Sequence, residues 1–226
     1  QLLSMMTAIE LISDLILPVK KTDRVSLALR IMEENRVGHL PVIENNKYLG
    51  LIGENELLAA EDENHTLDRY CNALPKPFVS EQDHIYQVLH VMCEQKLTIL
   101  PILDENQHYV GNISGDLLLE QLAFILSVHN PGGIIVLDIN QNDYSLSEIA
   151  RIVESNDTKI LSASVKSFPE STRLEVTLKL NRINVEPVIQ TFVRFEYDIH
   201  TYFGKNEKDE DLLRERYNSL MSFLKF

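Results

Sequence analysis

The chain repeats itself, and no other feature constrains its fold as strongly. Residues 24–58, RVSLALRIMEENRVGHLPVIENNKYLGLIGENELL, can be set above residues 84–119, HIYQVLHVMCEQKLTILPILDENQHYVGNISGDLLL. Val25 then falls on Ile85, Leu29 on Leu89, Met32 on Met92, Leu40 on Leu100 and Pro41 on Pro101, all 60 apart. After one inserted residue Tyr48 falls on Tyr109, Gly50 on Gly111 and Leu57 on Leu118, now 61 apart. Chance does not place a Met, a Leu-Pro and a Tyr-x-Gly in the same order twice. Self-similarity at a fixed period implies two copies of one supersecondary unit, neither able to bury its own apolar face.

Each copy has the same internal order. Val25, Leu29 and Met32 recur at spacings of four and three, the apolar stripe of a helix, and Ile85, Leu89 and Met92 repeat it. A short strand follows, HLPVIE or ILPILD, whose proline points to an edge position or a strand start. A polar turn, ENNK or DENQ, leads to YLGLIG or YVGNIS, the second arm of a hairpin. ELLAAEDE or DLLLEQLAFIL closes each copy as a helix. Two such units packed face to face bury both sheets and leave clefts where they meet.

This pattern of helix, LPV-acid, turn and Gly-hydrophobic-hydrophobic-S/T-x-x-D-L resembles the CBS domain, which occurs in tandem as a Bateman module. The resemblance covers residues 10–126, with repeats at about 10–62 and 70–126 inside a pair spanning 7–128. It implies a sensor that binds an adenosine-type ligand (AMP, ADP, ATP or S-adenosylmethionine) in the clefts, with no cofactor required. In ligand-binding relatives the S/T hydroxyl lies near the phosphates and the Asp three residues later accepts both ribose hydroxyls. A carboxylate suits that task, since it offers two acceptors to two neighbouring donors.

Carried onto this chain, the signature is split. In the first repeat the hydroxyl position is Gly53 and the acid position Glu56; in the second, Ser114 keeps the hydroxyl while Leu117 takes the acid's place. Asp116 stands one residue early, which on a helix turns it about 100° away. Glu56 and Asp116 are either ligand acids or helix-start acids that complement the macrodipole. His39 and Thr98, just ahead of Pro41 and Pro101, either face the cleft or are ordinary strand residues. These eight positions, His39, Pro41, Gly53, Glu56, Thr98, Pro101, Ser114 and Asp116, form the candidate ligand site.

After a turn at HNPGG (129–133) the pattern changes. GIIVLDI (133–139) is an apolar run of strand length, and SLSEIARIVESND (145–157) carries a helical stripe with Ser145 and Glu148 as a capping box. KILSASVKSF and TRLEVTLKLN form two strands about a PES turn. NVEPVIQTFVRF is a helix with Pro187 in its first turn, and EYDIHTYFG a last strand. The order strand, helix, strand, strand, helix, strand is a ferredoxin-like unit, expected over 132–205. Placed after a CBS pair it resembles an ACT domain, and the whole is similar to the acetoin-utilisation regulator family. That resemblance implies amino-acid binding or dimerisation. Relatives that bind amino acids carry a glycine where NQNDYSL has Tyr144, so assembly is the first expectation here. The last residues, 206–226, are expected as a helix with Leu213, Tyr217, Leu220 and Leu224 on one stripe, packed on its own domain or between molecules.

The fold class expected is therefore α/β (α+β): a CBS pair, a ferredoxin-like ACT-like domain and a C-terminal helix. A net charge of −13 without a basic cluster argues against a general nucleic-acid binder. The longest apolar stretch, residues 117–128, is about half a membrane span and is interrupted by Glu120. Cys71 and Cys93 lack CxxC spacing and fit a reducing, cytoplasmic setting. The histidines are scattered, and no HExxH, Walker or GxSxG motif occurs, so neither a metal site nor an enzyme is expected. The expected partners are a second copy of the chain, as a homodimer, and a regulated protein. The alternative is an interaction module whose clefts have lost their ligand.

Overall fold

A computed structural model describes residues 7–13 and 16–204. The expected C-terminal helix at 206–226 lies outside the described residues. The chain divides into two compact units, Gln1–Gln121 and Leu122–Phe226.

The first unit contains both repeats, and they match element for element. The first runs β1 (Val19–Lys20), α1 (Val25–Asn35), β2 (His39–Glu44), β3 (Lys47–Gly53) and α2 (Glu54–Leu58). The second runs β4 (Val79–Ser80), α3 (Ile85–Gln95), β5 (Ile99–Leu103), β6 (Tyr109–Ser114) and α4 (Gly115–Ile125). Each forms a three-stranded sheet, β1-β2-β3 and β4-β5-β6. The registers coincide: Val19 pairs Val42 as Val79 pairs Ile102, and Leu40 pairs Ile52 as Leu100 pairs Ile113. The helices bury Val25, Ala28 and Met32 in one copy and Ile85, Val88 and Met92 in the other. Both end on a left-handed residue, Arg36 (φ 55°) and Lys96 (φ 54°). That conformation costs a non-glycine residue energy. Here it lets the next amides, of Val37 and Leu97, return to the Met32 and Met92 carbonyls at 3.0 and 2.9 Å.

One expectation is corrected in detail. The proline-bearing strands β2 and β5 are central rather than edge strands. Yet β1 and β4 are two residues long and reach only Val42–Ile43 and Ile102–Leu103. Pro41 and Pro101 thus lie beyond the short strand, where a missing N–H breaks no ladder bond.

Each repeat is covered by a segment that precedes the other repeat in sequence. Residues 7–13 cross the second repeat, where Ala8 N–H donates to Asp83 O at 2.8 Å and Ser13 N–H to Asn112 O at 2.8 Å. Residues 65–77 cross the first, where Leu67 N–H donates to Asp23 O at 2.9 Å and Leu51 N–H to Pro75 O at 2.8 Å. The isolated bridges Thr7–His84 and Arg24–Thr66 mark the two crossings. A tyrosine fastens each. Tyr48 Oη donates directly to Pro77 O at 3.0 Å. In the second repeat Asn112 Nδ2 bridges the matching groups, donating to Tyr109 Oη at 2.8 Å and to Ile16 O at 2.7 Å.

The second unit has β7 (Ile134–Asn140), α5 (Leu146–Glu154), β8 (Ile160–Ser167), β9 (Arg173–Leu180), α6 (Glu186–Arg194) and β10 (Asp198–Phe203). Its sheet order is β10-β7-β9-β8, antiparallel throughout, which is the ferredoxin-like topology. Ile135, Leu137 and Ile139 alternate inward on β7, as do Val176, Leu178 and Leu180 on β9. They meet Ile149, Ile152 and Val153 of α5 and Phe192 of α6. Proline stands in the first turn of α6, and Ser145 Oγ accepts the Glu148 N–H at 3.3 Å. The reciprocal half of the capping box is replaced: the Glu148 carboxylate takes the Tyr197 hydroxyl at 3.2 Å and pairs with Arg151. Tyr144 packs on the core, which leaves no call for a glycine there.

Candidate functional site

The repeats join where the helix-to-strand turns of the two copies meet. Gly38 N–H donates to Thr98 Oγ1 at 3.0 Å, and Thr98 N–H donates to His39 Nδ1 at 3.3 Å. A backbone N–H can only donate, so Nδ1 carries no proton, and the Thr98 hydroxyl, 3.0 Å away, gives its own to the same nitrogen. Burial pushes the His39 imidazole below its ordinary value, and the Glu56 carboxylate partly offsets this. His39 and Thr98 are bonded to each other across the junction. They do not occupy equivalent places, because His39 matches Ile99 and Thr98 matches Gly38.

A cavity of about 470 Å³ opens beside this junction, within the range common for small-molecule sites. Thr98, Ser114 and Asp116 line it, with Leu117 and Glu120 of α4. The end of α1 supplies Asn35, Arg36 and Val37, and the crossing segment supplies Ser13 and Ile16. Asp116 faces this space although it stands one residue ahead of the family's acid position. Ser114 Oγ accepts the Leu117 N–H at 3.3 Å, so it caps α4 and keeps its hydroxyl proton to give. Gly115 N–H is taken up by Thr98 O at 3.0 Å. The cavity is therefore lined by a hydroxyl, a guanidinium and two carboxylates, with apolar surface from Val37, Leu97 and Leu117.

The matching region of the first repeat is built otherwise. A side chain at Gly53 would meet the Glu56 carboxylate, which folds back over the glycine. Glu56 is thus an exposed first-turn acid occupying the room of the missing hydroxyl. His39, Pro41, Gly53, Glu56 and Pro101 do not line the cavity of the second repeat. Pro41 and Pro101 are buried in their strands. Arg36, Glu120, Asn35 and Ser13 were absent from the residues expected on sequence. A signal for Arg36 was available: a cation stands at the same step in both repeats, Arg36 and Lys96, between the Met and the Leu-Pro.

Among the described residues no group of three or more His, Cys, Asp or Glu is placed to hold a metal ion. No described helix is long and apolar enough to cross a membrane.

Residues 9–63 match the family model described as CBS domain, and the second repeat reproduces the elements of that segment. An uncharacterised protein of Methanocaldococcus jannaschii is 25% identical over 109 residues, 47% of this chain and 41% of that protein. The chain thus matches less than half the length of that curated relative. Among solved structures, a CBS domain pair/ACT domain protein from Thermotoga maritima is 24% identical, with a TM-score of 0.48 over 54% of this chain and 99% of that one. A protein named CBSX2, crystallised with AMP, is 21% identical, with a TM-score of 0.43 over 53% of this chain and 97% of its own.

Proposed function

We propose, from the premise that the first repeat is a CBS domain and the second its structural copy, that this chain is a non-catalytic regulatory sensor. The resemblance to CBS domains implies a regulatory role, and proteins of similar fold have been crystallised with ATP and with AMP. The observation that carries the reading is the cavity at the start of α4, where Ser114, Asp116 and Arg36 converge. Asp116 accepts the ribose hydroxyls, the Ser114 hydroxyl and Arg36 take the group attached to the ribose, and Val37, Leu97 and Leu117 hold the base. A ligand that prefers one arrangement of the two repeats biases it by a coupling of about 1–3 kcal/mol. The ferredoxin-like unit then serves assembly, as a homodimer, or passes the signal to a regulated protein in the cytoplasm. Among the described residues that line the cavity there is no histidine, cysteine or lysine.

Calorimetric titration with adenosine, AMP, ATP and S-adenosylmethionine tests this reading. S114A and D116A are each expected to weaken binding by about tenfold, the worth of one charge-assisted hydrogen bond. E56A, which alters only the first repeat, leaves binding unchanged. Absence of binding by every one of these compounds at millimolar concentration refutes the sensor. It would favour a second reading, an interaction module with ligand-free clefts, for which the Glu56 carboxylate over Gly53 is the supporting observation.

A further inference from the structure

We infer that the cavity selects among adenosine compounds by the charge of the group attached to the ribose. It takes an uncharged or cationic tail in preference to a polyphosphate, and Glu120 sets that preference. The inference rests on the sensor reading above and goes beyond it in naming the ligand class.

Among the described residues three charged side chains line the cavity: Arg36, Asp116 and Glu120. Their sum is one negative charge. Asp116 and Glu120 stand four apart on α4, hence one above the other on the same face. Asp116 also lies in the first turn, where its carboxylate already complements the N–H groups that an incoming phosphate would seek. One phosphate could still be met by Arg36 and the Ser114 hydroxyl. The second and third phosphates of a chain meet no further lining cation among the described residues, and Glu120 lies one turn further along the wall. A chain of net charge −13 adds repulsion of the same sign at longer range. A sulfonium or ammonium tail reverses each of these terms, being drawn to Asp116 and Glu120 rather than repelled. Glu120 is exposed on α4, so its replacement tests charge with little effect on folding.

The experiment is calorimetry of the intact chain and of E120Q and E120K with adenosine, ATP and S-adenosylmethionine, in low salt and in high salt. The wild-type protein is expected to bind adenosine and S-adenosylmethionine about tenfold or more tightly than ATP, as one or two charges within a few ångströms dictate. E120K is expected to raise ATP affinity by about tenfold, E120Q by about threefold, with adenosine within about twofold of wild type. High salt should compress these differences. Tighter binding of ATP than of adenosine by the wild-type protein overturns the inference and leaves the sensor reading standing. So does an E120K that moves adenosine and ATP alike. No binding of any compound overturns both.

Discussion

The two repeats are one scaffold with two different cleft mouths. Their strands, registers, left-handed caps and bulges coincide, yet the first ends in a five-residue helix and the second in one of eleven. Where the first has Gly53 covered by Glu56, the second has Ser114 capping α4 beside an open cavity. Where the first has Leu51 fully buried, the second has the buried amide of Asn112. The lesson is that backbone symmetry is maintained by apolar spacing and caps. Ligand chemistry depends on three or four side chains that can drift in one copy without disturbing the other.

Exchanging the buried pair tests that separation with the largest effect. Leu51→Asn should cost about 3–5 kcal/mol, because it removes a fully buried Leu and buries an amide. The tyrosine and carbonyl it would need are already bonded to each other, Tyr48 to Pro77. The reverse change, Asn112→Leu, should cost about 1 kcal/mol or less. Asn112 Oδ1 has no partner in its buried site, and the small loss expects Tyr109 Oη to turn to Ile16 O once the amide is gone, as Tyr48 bonds Pro77. Chemical denaturation of both variants measures the difference, and equal losses would show that the bridging amide is not a substitute for the direct bond.

The two glycines of the Tyr-x-Gly steps give the next contrast. Gly50 has φ +154°, and a Cβ there would meet Leu74 Cβ and stand 2.9 Å from Pro75 O, part of the crossing backbone. A Cβ at Gly111 would first meet the Ile12 side chain, at 3.0–3.2 Å. Gly50→Ala should therefore cost about 2–3 kcal/mol and Gly111→Ala about 1 kcal/mol, since a side chain yields where a backbone cannot. Thermal unfolding of both decides it. A Gly111→Ala loss as large as that of Gly50→Ala would mean that the segment at residues 7–13 is held as rigidly as the one at 65–77.

Much of this architecture was legible in the sequence because it depends on period. The stripes Val25-Leu29-Met32 and Leu174-Val176-Leu178 each name their element, and Pro187 and Ser145 mark helix starts. The crossing segments were not legible. They are short 3-10 turns and extended chain, marked in sequence only by the Thr7–Glu10 capping box and placed on their repeats by backbone bonds to Asp83, Asn112 and Asp23 that no spacing reports. The cavity was half legible for the same reason. Ser114 and Asp116 belong to a motif, whereas Arg36 enters through a helix cap and Ser13 through a crossing segment. Spacing along one strand or helix cannot report a contact made between elements distant in the chain.

The smallest effect sharpens the comparison at the junction, where His39 of the first repeat matches Ile99 of the second. Nδ1 of His39 accepts from Thr98, and a proton there would turn the acceptor into a donor facing two donors. The groups facing the ring are thus the Thr98 amide and hydroxyl, with Glu56 the one charge acting on it. Burial sets its folded pKa below the unfolded value of about 6.5, so the unfolded chain binds the proton more tightly. The stability is present above that unfolded value and is lost as pH falls through the lower folded one. His39→Ile, which installs the residue of the second repeat, should remove the His39 part of that acid limb. Its melting temperature at pH 7 should fall through loss of the Thr98 bonds, while its further drop between pH 7 and pH 5 should be smaller than the wild type's by about 2 °C. Carboxylate titrations remain in both proteins and cancel in the difference. If the two curves stay parallel from pH 7 to pH 5, the imidazole is solvated as a surface histidine would be, and the junction owes nothing to its neutral form.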